Sequence, residues 1–330
     1  MRMVSALNVT EALPLGIKLL MECGEEVSPR GMLTLEAPGP VVTVYQRPWQ
    51  RVMLHSKRDA NPFFHLFESL WILNGSKDVA WLSQFNSNIA NYSDDGETFH
   101  AAYGHRLRYH FNVDQIKECI DLLKKEPDTR RAVLQIWSCN DDLNKDSKDL
   151  PCNDTVFLKI RNGKLNITVC CRSNDIIWGA YGANAVQFSM LQEYIAAMVG
   201  VEMGVYTQIS DSYHAYVNNP QWEDLKNLPV MDLYDIWYDD SCLIPIVEYP
   251  STWDAELDIF YHIAEPKEGA VKIPGSSIFR NKWFSKVAIP MFIAWRCHKD
   301  WKDGRTMASA IQAPDWRLAC ETWLEKREEK

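Results

Sequence analysis

The chain has 330 residues, 46% hydrophobic and 24% charged, which fits a globular protein of one large or two ordinary domains. Its 15 Gly and 16 Pro are too few for a collagen-like or disordered chain. A net charge of −9 argues against a general nucleic-acid binder, yet local arginines can still hold one small anion.

No run of 18 apolar residues occurs, so no transmembrane helix is expected. Met1 to Leu20 lacks the apolar core and small-residue cleavage site of a signal peptide. The nine cysteines form no CxxC pair, which weakens zinc and thioredoxin-like readings and favours a reduced, cytoplasmic compartment.

In chain order, residues 10–23 read as a first helix. Met32–Leu35 and Val41–Tyr45 read as strands separated by Ala37-Pro38-Gly39-Pro40. Residues 62–74 (PFFHLFESLWILN) form a helix stopped by Asn74-Gly75. Residues 77–92 continue as a helix or helix pair, and 113–125 as an amphipathic helix before Pro127. Ala132–Trp137, Thr155–Ile160 and Leu165–Cys171 are strands, the last two joined at Asn162-Gly163, a hairpin signal. Residues 184–199 form a long helix with Val186, Met190, Ile195 and Met198 toward a core, the buried central helix of the fold. Residues 220–280 read as loops and short strands. Residues 281–328 return to helix and carry Trp295, Trp301, Trp316 and Trp323.

The chemistry-bearing stretch runs from Arg130 to Tyr216. It holds Arg130-Arg131, Pro151-Cys152-Asn153, Arg172-Ser173-Asn174-Asp175, Asn184 and His214-Ala215-Tyr216. Singly these are unspecific: a lone cysteine is usually a small buried hydrophobe, and a lone Arg pair a solvated face. Their order and spacing resemble thymidylate synthase and its relatives, the pyrimidine-nucleotide hydroxymethylases. The N-terminal part agrees through Arg30 in SPRGMLTLE, Glu68 in FESLW and Tyr103-Gly104 in HAAYGHRLR. The resemblance spans roughly residues 10–220.

That resemblance implies an α+β fold: a mixed twisted sheet packed on a central buried helix, assembled as a homodimer. It implies that Cys152 adds to C6 of a pyrimidine, making C5 nucleophilic toward a one-carbon donor. Arg172 would lower the thiol pKa. Arg30, Arg130, Arg131, Arg172 and Ser173 would bind the 5′-phosphate, with Arg130 and Arg131 donated across the dimer interface. His214 and Tyr216, two residues apart on one strand face, would hold the sugar 3′-hydroxyl, and Asn184 the base. Glu68, in an apolar helix, should have a raised pKa and relay protons through water. Tyr103 and Asn153 join Cys152 and Glu68 in the catalytic group. Asp175 and Trp71 would bind the folate, 5,10-methylenetetrahydrofolate.

Four departures from thymidylate synthase stand out. Asn153 follows the nucleophile where His is usual. Two wall tryptophans are replaced, by spacing from Trp71, with Ala90 and Ser93, Tyr92 lying nearby. The loop Gly179–Ala183 is one residue longer. The chain continues for over 100 residues past His214-Ala215-Tyr216, to Lys326-Arg327-Glu328-Glu329-Lys330. An open wall admits water, and water ends the reaction at hydroxymethyl rather than methyl. The expectation is a dUMP hydroxymethylase. The alternatives are thymidylate synthase, a dCMP or CMP hydroxymethylase, or a non-catalytic relative binding nucleotides or RNA. Residues 1–225 would form the catalytic domain and 226–330 a helical elaboration of it. No nucleic-acid, membrane or metal partner is expected.

Overall fold

The structure, a computed structural model, describes residues 2–229, 243–266, 278–300 and 302–328. Its sheet places β8 (Glu202–Tyr216) at the centre, in the order β1 (Arg2–Ala6), β4 (Val41–Tyr45), β8, β7 (Lys164–Asp175), β6 (Asn153–Arg161), β5 (Val133–Gln135). β1–β4 and β7–β8 are parallel, whereas β4–β8, β6–β7 and β5–β6 are antiparallel, so the sheet is mixed as expected. β2 (Glu25–Val27) pairs with β3 (Thr34–Glu36), which pairs with the end of β8 through Leu35 and Ala215. The β6–β7 hairpin turns at Asn162 and Gly163, both at positive φ (53° and 71°), the geometry that Asn-Gly tolerates best.

The register of β6 slips at Asp154: Asn153 pairs with Cys171 and Thr155 with Cys170. This bulge lies immediately after Cys152. A bulge bends a strand and re-aims its side chains, and here Asn153 turns wholly into the interior.

α6 (Asn184–Val199) packs on β7 and β8, while α1 (Val9–Cys23) packs on β1 and on the wound segment Ile176–Ala183. Val186, Met190 and Ile195 are buried in α6; Met198 is only half-buried. On the sheet's other face Val42, Val44, Cys170, Thr207 and Ile209 remain partly open and Phe157 is exposed, with no described element over them.

α2 (Pro62–Asn74) keeps the expected bounds. Asn61 caps it by accepting from Phe64 N at 3.1 Å, and Gly75 ends it at φ 79°. A helix apolar on every side must be covered on every side. The inner face of α2 meets α6. The outer face meets α8 (Pro250–Ile263), α9 (Ile289–Lys299) and α11 (Pro314–Glu328). Phe67 lies 4.2 Å from Phe85, 5.9 Å from Phe260 and 6.2 Å from Phe292 between ring centroids. Arg327 donates to both Asp59 oxygens at 3.1 and 3.0 Å, fastening the end of α11 near the start of α2.

The remaining elements refine the expectation. Residues 77–92 form α3 (Val79–Ser83) and a 3-10 turn (Ser87–Tyr92), and 113–125 contain α5 (Gln115–Lys125). Residues 103–105 make the single turn α4 (Tyr103–His105). Reading 220–280 as loops and short strands was wrong for its described parts, which contain α7 (Pro220–Leu225) and α8. The stripe Trp253, Leu257, Phe260 is narrow. Buried Glu256 interrupts it, its carboxylate accepting from Arg280 N at 3.1 Å and Asn281 N at 2.9 Å. The helices expected after 281 are present, with α10 (Gly304–Ala308) between α9 and α11. Trp301 lies outside the described residues, as do Glu329 and Lys330.

Candidate active site

A cavity of about 570 Å³ opens between the inner face of α2, the ends of β7 and β8, the start of α6 and the segment 86–103. Cys152, Glu68, Tyr103, Ser173, Asp175, Asn184, His214, Tyr216 and Trp71 all line it. Residues from six separate stretches thus meet in one place.

Cys152 sits after buried Pro151, its sulfur 4.0 Å from Arg172 Nη2. The guanidinium is fixed: Nε donates to Pro151 O at 2.7 Å, Nη2 to Leu150 O at 3.3 Å, and the group lies 5.4 Å over Trp137. Burial pushes the Cys152 thiol up, and Arg172 offsets that only in part. The expected lowering is therefore corrected: desolvation outweighs the nearby cation.

Glu68 projects from the inner face of α2. Burial raises its carboxyl to about 7, against the opposing effect of a 2.6 Å hydrogen bond from Gln187 Nε2. Such a group is part acid, part base near neutrality. One turn earlier, His65 lines the same cavity; burial and Arg58 push its imidazole down to about 3, so it is neutral.

Tyr103 hydrogen-bonds Asn153, and burial raises its phenol well above the ordinary value. Asn153 lies under the floor, not on the wall: its Nδ2 donates to Asn184 Oδ1 at 3.3 Å. His214 Nδ1 is 3.0 Å from Ser212 Oγ, and its ring meets that of Tyr216 edge-on at 5.3 Å. Trp71 donates its indole N–H to Asp78 O at 3.1 Å, leaving an apolar face for the cavity.

The other arginines lie elsewhere. Arg30 is exposed in the turn Pro29–Gly31 at φ 53°, near enough to favour the Cys152 thiolate. Arg130 and Arg131 are exposed and absent from the cavity, and Arg131 pairs with Glu126 at 2.7 Å. Neither small residue of the expected open wall lies on the cavity surface. Ser93 turns away, donating to Thr98 O at 2.7 Å, and Ala90 does not reach the cavity; Ile89 and Tyr92 line it instead. Among the described residues no part of 243–328 lines it.

Sequence reasoning missed Arg58, His65, Gln187 and Asn174. Nothing in the sequence singled out Arg58. It is buried, donating from Nε to Ile177 O at 2.8 Å and lying 5.0 Å over Trp178. His65 had a usable signal, being three residues before Glu68 on one helix.

The cavity fits a reduced pterin. Asp175 Oδ1 accepts from Ile177 N and Trp178 N, at 2.9 and 2.5 Å, while Oδ2 is buried without a partner. Both terminal nitrogens of Arg58 are likewise buried without partners. A pterin edge carries N–H donors and a carbonyl acceptor, the complement of that pair.

A thiol beside an arginine and a carboxyl raised to about 7 share one cavity, the equipment of an enzyme that combines a nucleophile with acid–base groups. A family model described as Thymidylate synthase matches residues 22–228. A deoxyuridylate hydroxymethyltransferase of Pseudomonas phage M6 is 41% identical, covering 99% of this chain and 95% of that one. One of Bacillus phage SP01 is 42% identical over 59% of this chain and 54% of its own. The crystal structure of thymidylate synthase from T4 phage superposes with a TM-score of 0.55 at 24% identity, covering 66% of this chain and 80% of that one, a likeness of fold. The chain belongs to the thymidylate synthase family.

Proposed function

We propose that this chain is a dUMP hydroxymethylase. The carrying observation is that Cys152, Glu68 and Asn184 open into one cavity, with Arg172 against the thiol. 5,10-Methylenetetrahydrofolate supplies the one-carbon unit when bound. Asp175, Arg58 and Trp71 would hold its ring.

Cys152 Sγ adds to C6 of the base, and the displaced π electrons make C5 nucleophilic. Resting as a thiol, Cys152 first loses its proton to water or a cavity base. Arg172 then stabilises the thiolate. Glu68 moves protons through water at the C4 carbonyl as that oxygen gains and loses charge. C5 takes the methylene and loses its proton to a cavity base as tetrahydrofolate is released; water then adds to the exocyclic methylene and Cys152 leaves C6, giving the 5-hydroxymethyl nucleotide. Arg172, Ser173 and Arg30 bind the phosphate, and His214 and Tyr216 the 3′-hydroxyl.

The active unit is a homodimer. The uncovered sheet face supports this, as does the exposure of Arg130 and Arg131, which would reach the partner's phosphate. Residues 226–330 elaborate the same domain, as the packing of α8, α9 and α11 on α2 supports. No helix among the described residues is long and apolar enough to cross a membrane. The eight described cysteines are all free, which supports a reducing, cytoplasmic setting.

The test is mass spectrometry of products from dUMP, dCMP and CMP, each with methylenetetrahydrofolate. Hydroxymethyl-dUMP is expected; 5-methyl-dUMP with dihydrofolate would overturn the reading. Cys152→Ala should abolish turnover while keeping nucleotide binding.

A further inference from the structure

Four buried side chains at the floor of the cavity stand in a ring joined on three sides by hydrogen bonds. Asn184 Nδ2 donates to Asn174 Oδ1 at 3.0 Å, and Asn174 Nδ2 lies 3.7 Å from Cys171 Sγ. The Cys171 thiol donates to Asn153 Oδ1 at 2.8 Å, and Asn153 Nδ2 to Asn184 Oδ1 at 3.3 Å. The two hydrogens of the Asn174 amide go to Gln208 and Ser210, both at 2.9 Å, so the 3.7 Å contact with Cys171 is the loose side of the ring. Asn184 and Asn174 also line the cavity, with Asn153 and Cys171 lying beneath it.

The sense of the ring is imposed from outside. Ala180 O can only accept, and it takes Gln208 Nε2 at 3.3 Å. Gln208 Oε1 must therefore accept, and it takes Asn174 Nδ2 at 2.9 Å. Asn174 Nδ2 also reaches Ser210 Oγ at 2.9 Å. That leaves Asn174 Oδ1 facing Asn184, so Asn184 must turn its NH₂ toward Asn174 and its oxygen toward Asn153. Burial raises the Cys171 thiol well above its ordinary value, which keeps it a proton donor. Gly179 makes room: a Cβ there would stand 2.6 Å from Asn174 Oδ1 and 3.2 Å from Asn184 Nδ2.

An unrestrained asparagine reads either pyrimidine. Uracil offers an N3–H donor beside an O4 acceptor; cytosine offers an N3 acceptor beside an amino donor. Rotating the amide by half a turn exchanges the two. In the ring, that rotation sets N–H against N–H at Asn153 and oxygen against oxygen at Asn174. Buried polar groups left unpaired cost about 1–3 kcal/mol each.

We propose that Asn174, Cys171 and Asn153 are positioning residues that lock the Asn184 amide in one orientation, and that this lock sets discrimination between dUMP and dCMP. The proposal rests on the dUMP reading above. It also gives Asn153 a role: the residue after the nucleophile acts on the base through Asn184.

The experiment measures kcat/KM for dUMP and dCMP in the full-length wild type, Asn174→Ala, Cys171→Ala and Cys171→Ser. In Asn174→Ala the dUMP-to-dCMP ratio should fall by about tenfold or more, with KM for the folate unchanged. Cys171→Ala should erode the ratio, and Cys171→Ser, which keeps a donor and acceptor at that position, should restore it. An unaltered ratio in soluble Asn174→Ala overturns the proposal, whatever happens to total activity. Should that variant not fold, an unaltered ratio in Cys171→Ala does the same. A wild type that prefers dCMP refutes the uracil reading instead. The lock is then judged by whether the variants erode that cytosine preference.

Discussion

Glu68→Gln tests whether the raised carboxyl pKa is what the cavity uses. The substitution preserves shape, and the Gln187 Nε2 donor, 2.6 Å from Glu68 Oε2, can still be accepted by the new amide oxygen. What is lost is a proton that exchanges near neutrality. With the carboxyl at about 7, roughly half the molecules are protonated at pH 7, whereas an ordinary carboxylate would be protonated in fewer than about 1%. Positioned acid–base groups contribute about 10²–10⁴ in rate, so kcat should fall by that amount with KM for nucleotide little changed. The limb of the kcat profile near pH 7 should vanish with it. Stability supplies a second readout. The unfolded carboxyl ionises near its ordinary 4.5 and the folded one near 7. Stability therefore holds below pH 4.5 and declines as pH rises through 7. The two values correspond to about 3 kcal/mol; because the group faces a water-accessible cavity, about half that is expected. Asp154 and Asp315, raised to about 6, add a decline of their own, so unfolding free energies from urea melts at pH 5 and pH 8 should fall further in wild type than in Glu68→Gln by about that amount. A variant that keeps a near-neutral limb and near-wild-type kcat would refute the relay.

Iodoacetamide should alkylate Cys152 at pH 7 more slowly than free cysteine, because burial raises its pKa. Arg172→Leu should slow it further, and a rate above that of free cysteine would contradict the geometry. Phe67→Ala removes the ring between Phe85, Phe260 and Phe292 and should cost about 3–5 kcal/mol in urea unfolding. Gly104→Ala places a Cβ 2.0 Å from Ile72 O; a backbone atom cannot step aside, so the soluble yield should collapse. Phe157→Asp, on the uncovered sheet face, should give a monomer by sedimentation that has lost turnover, and an active monomer would refute the dimer.

The sequence was most legible where local chemistry and tertiary packing agree. Asn61, Pro62 and Gly75 bound α2 as capping rules require, and Asn162-Gly163 turned the hairpin. It was least legible where polar residues point inward. β8 buries Gln208 and Ser210, which broke the apolar alternation, so only its end at His214 and Tyr216 was read as strand. Arg58 failed for the same reason: nothing local shows that a guanidinium is covered by Ile177 and Trp178. Cys152, Glu68, Asn184 and the pair His214 and Tyr216 were found by motif order, and the fold then brought them to one cavity. The sign of the Cys152 shift could not be read, because it is a contest between burial and Arg172 that only coordinates decide.

The length past residue 225 takes its meaning from α2. Its inner face carries His65, Glu68 and Trp71 to the cavity, so packing must hold it from behind. The described helices after 243 do that. Asn74 Nδ2 donates to Asp258 at 2.9 Å, Ser76 Oγ meets Tyr261 OH at 2.6 Å, and Trp81 donates to Tyr261 O at 3.1 Å. A helix rigid at both ends and covered on its outer face cannot tilt Glu68 into bulk water. Retained burial is what keeps the carboxyl near 7. On this argument the added helices act on catalysis through the placement of one carboxyl, without lining the site. The cut that separates this from a mere stability effect is Tyr261→Phe. It frees one end of the contact at Ser76, and should shift the near-neutral limb of the kcat profile downward while leaving the unfolding free energy from urea melts within about 1 kcal/mol of wild type. A limb that stays in place would leave α2 held by its core contacts alone.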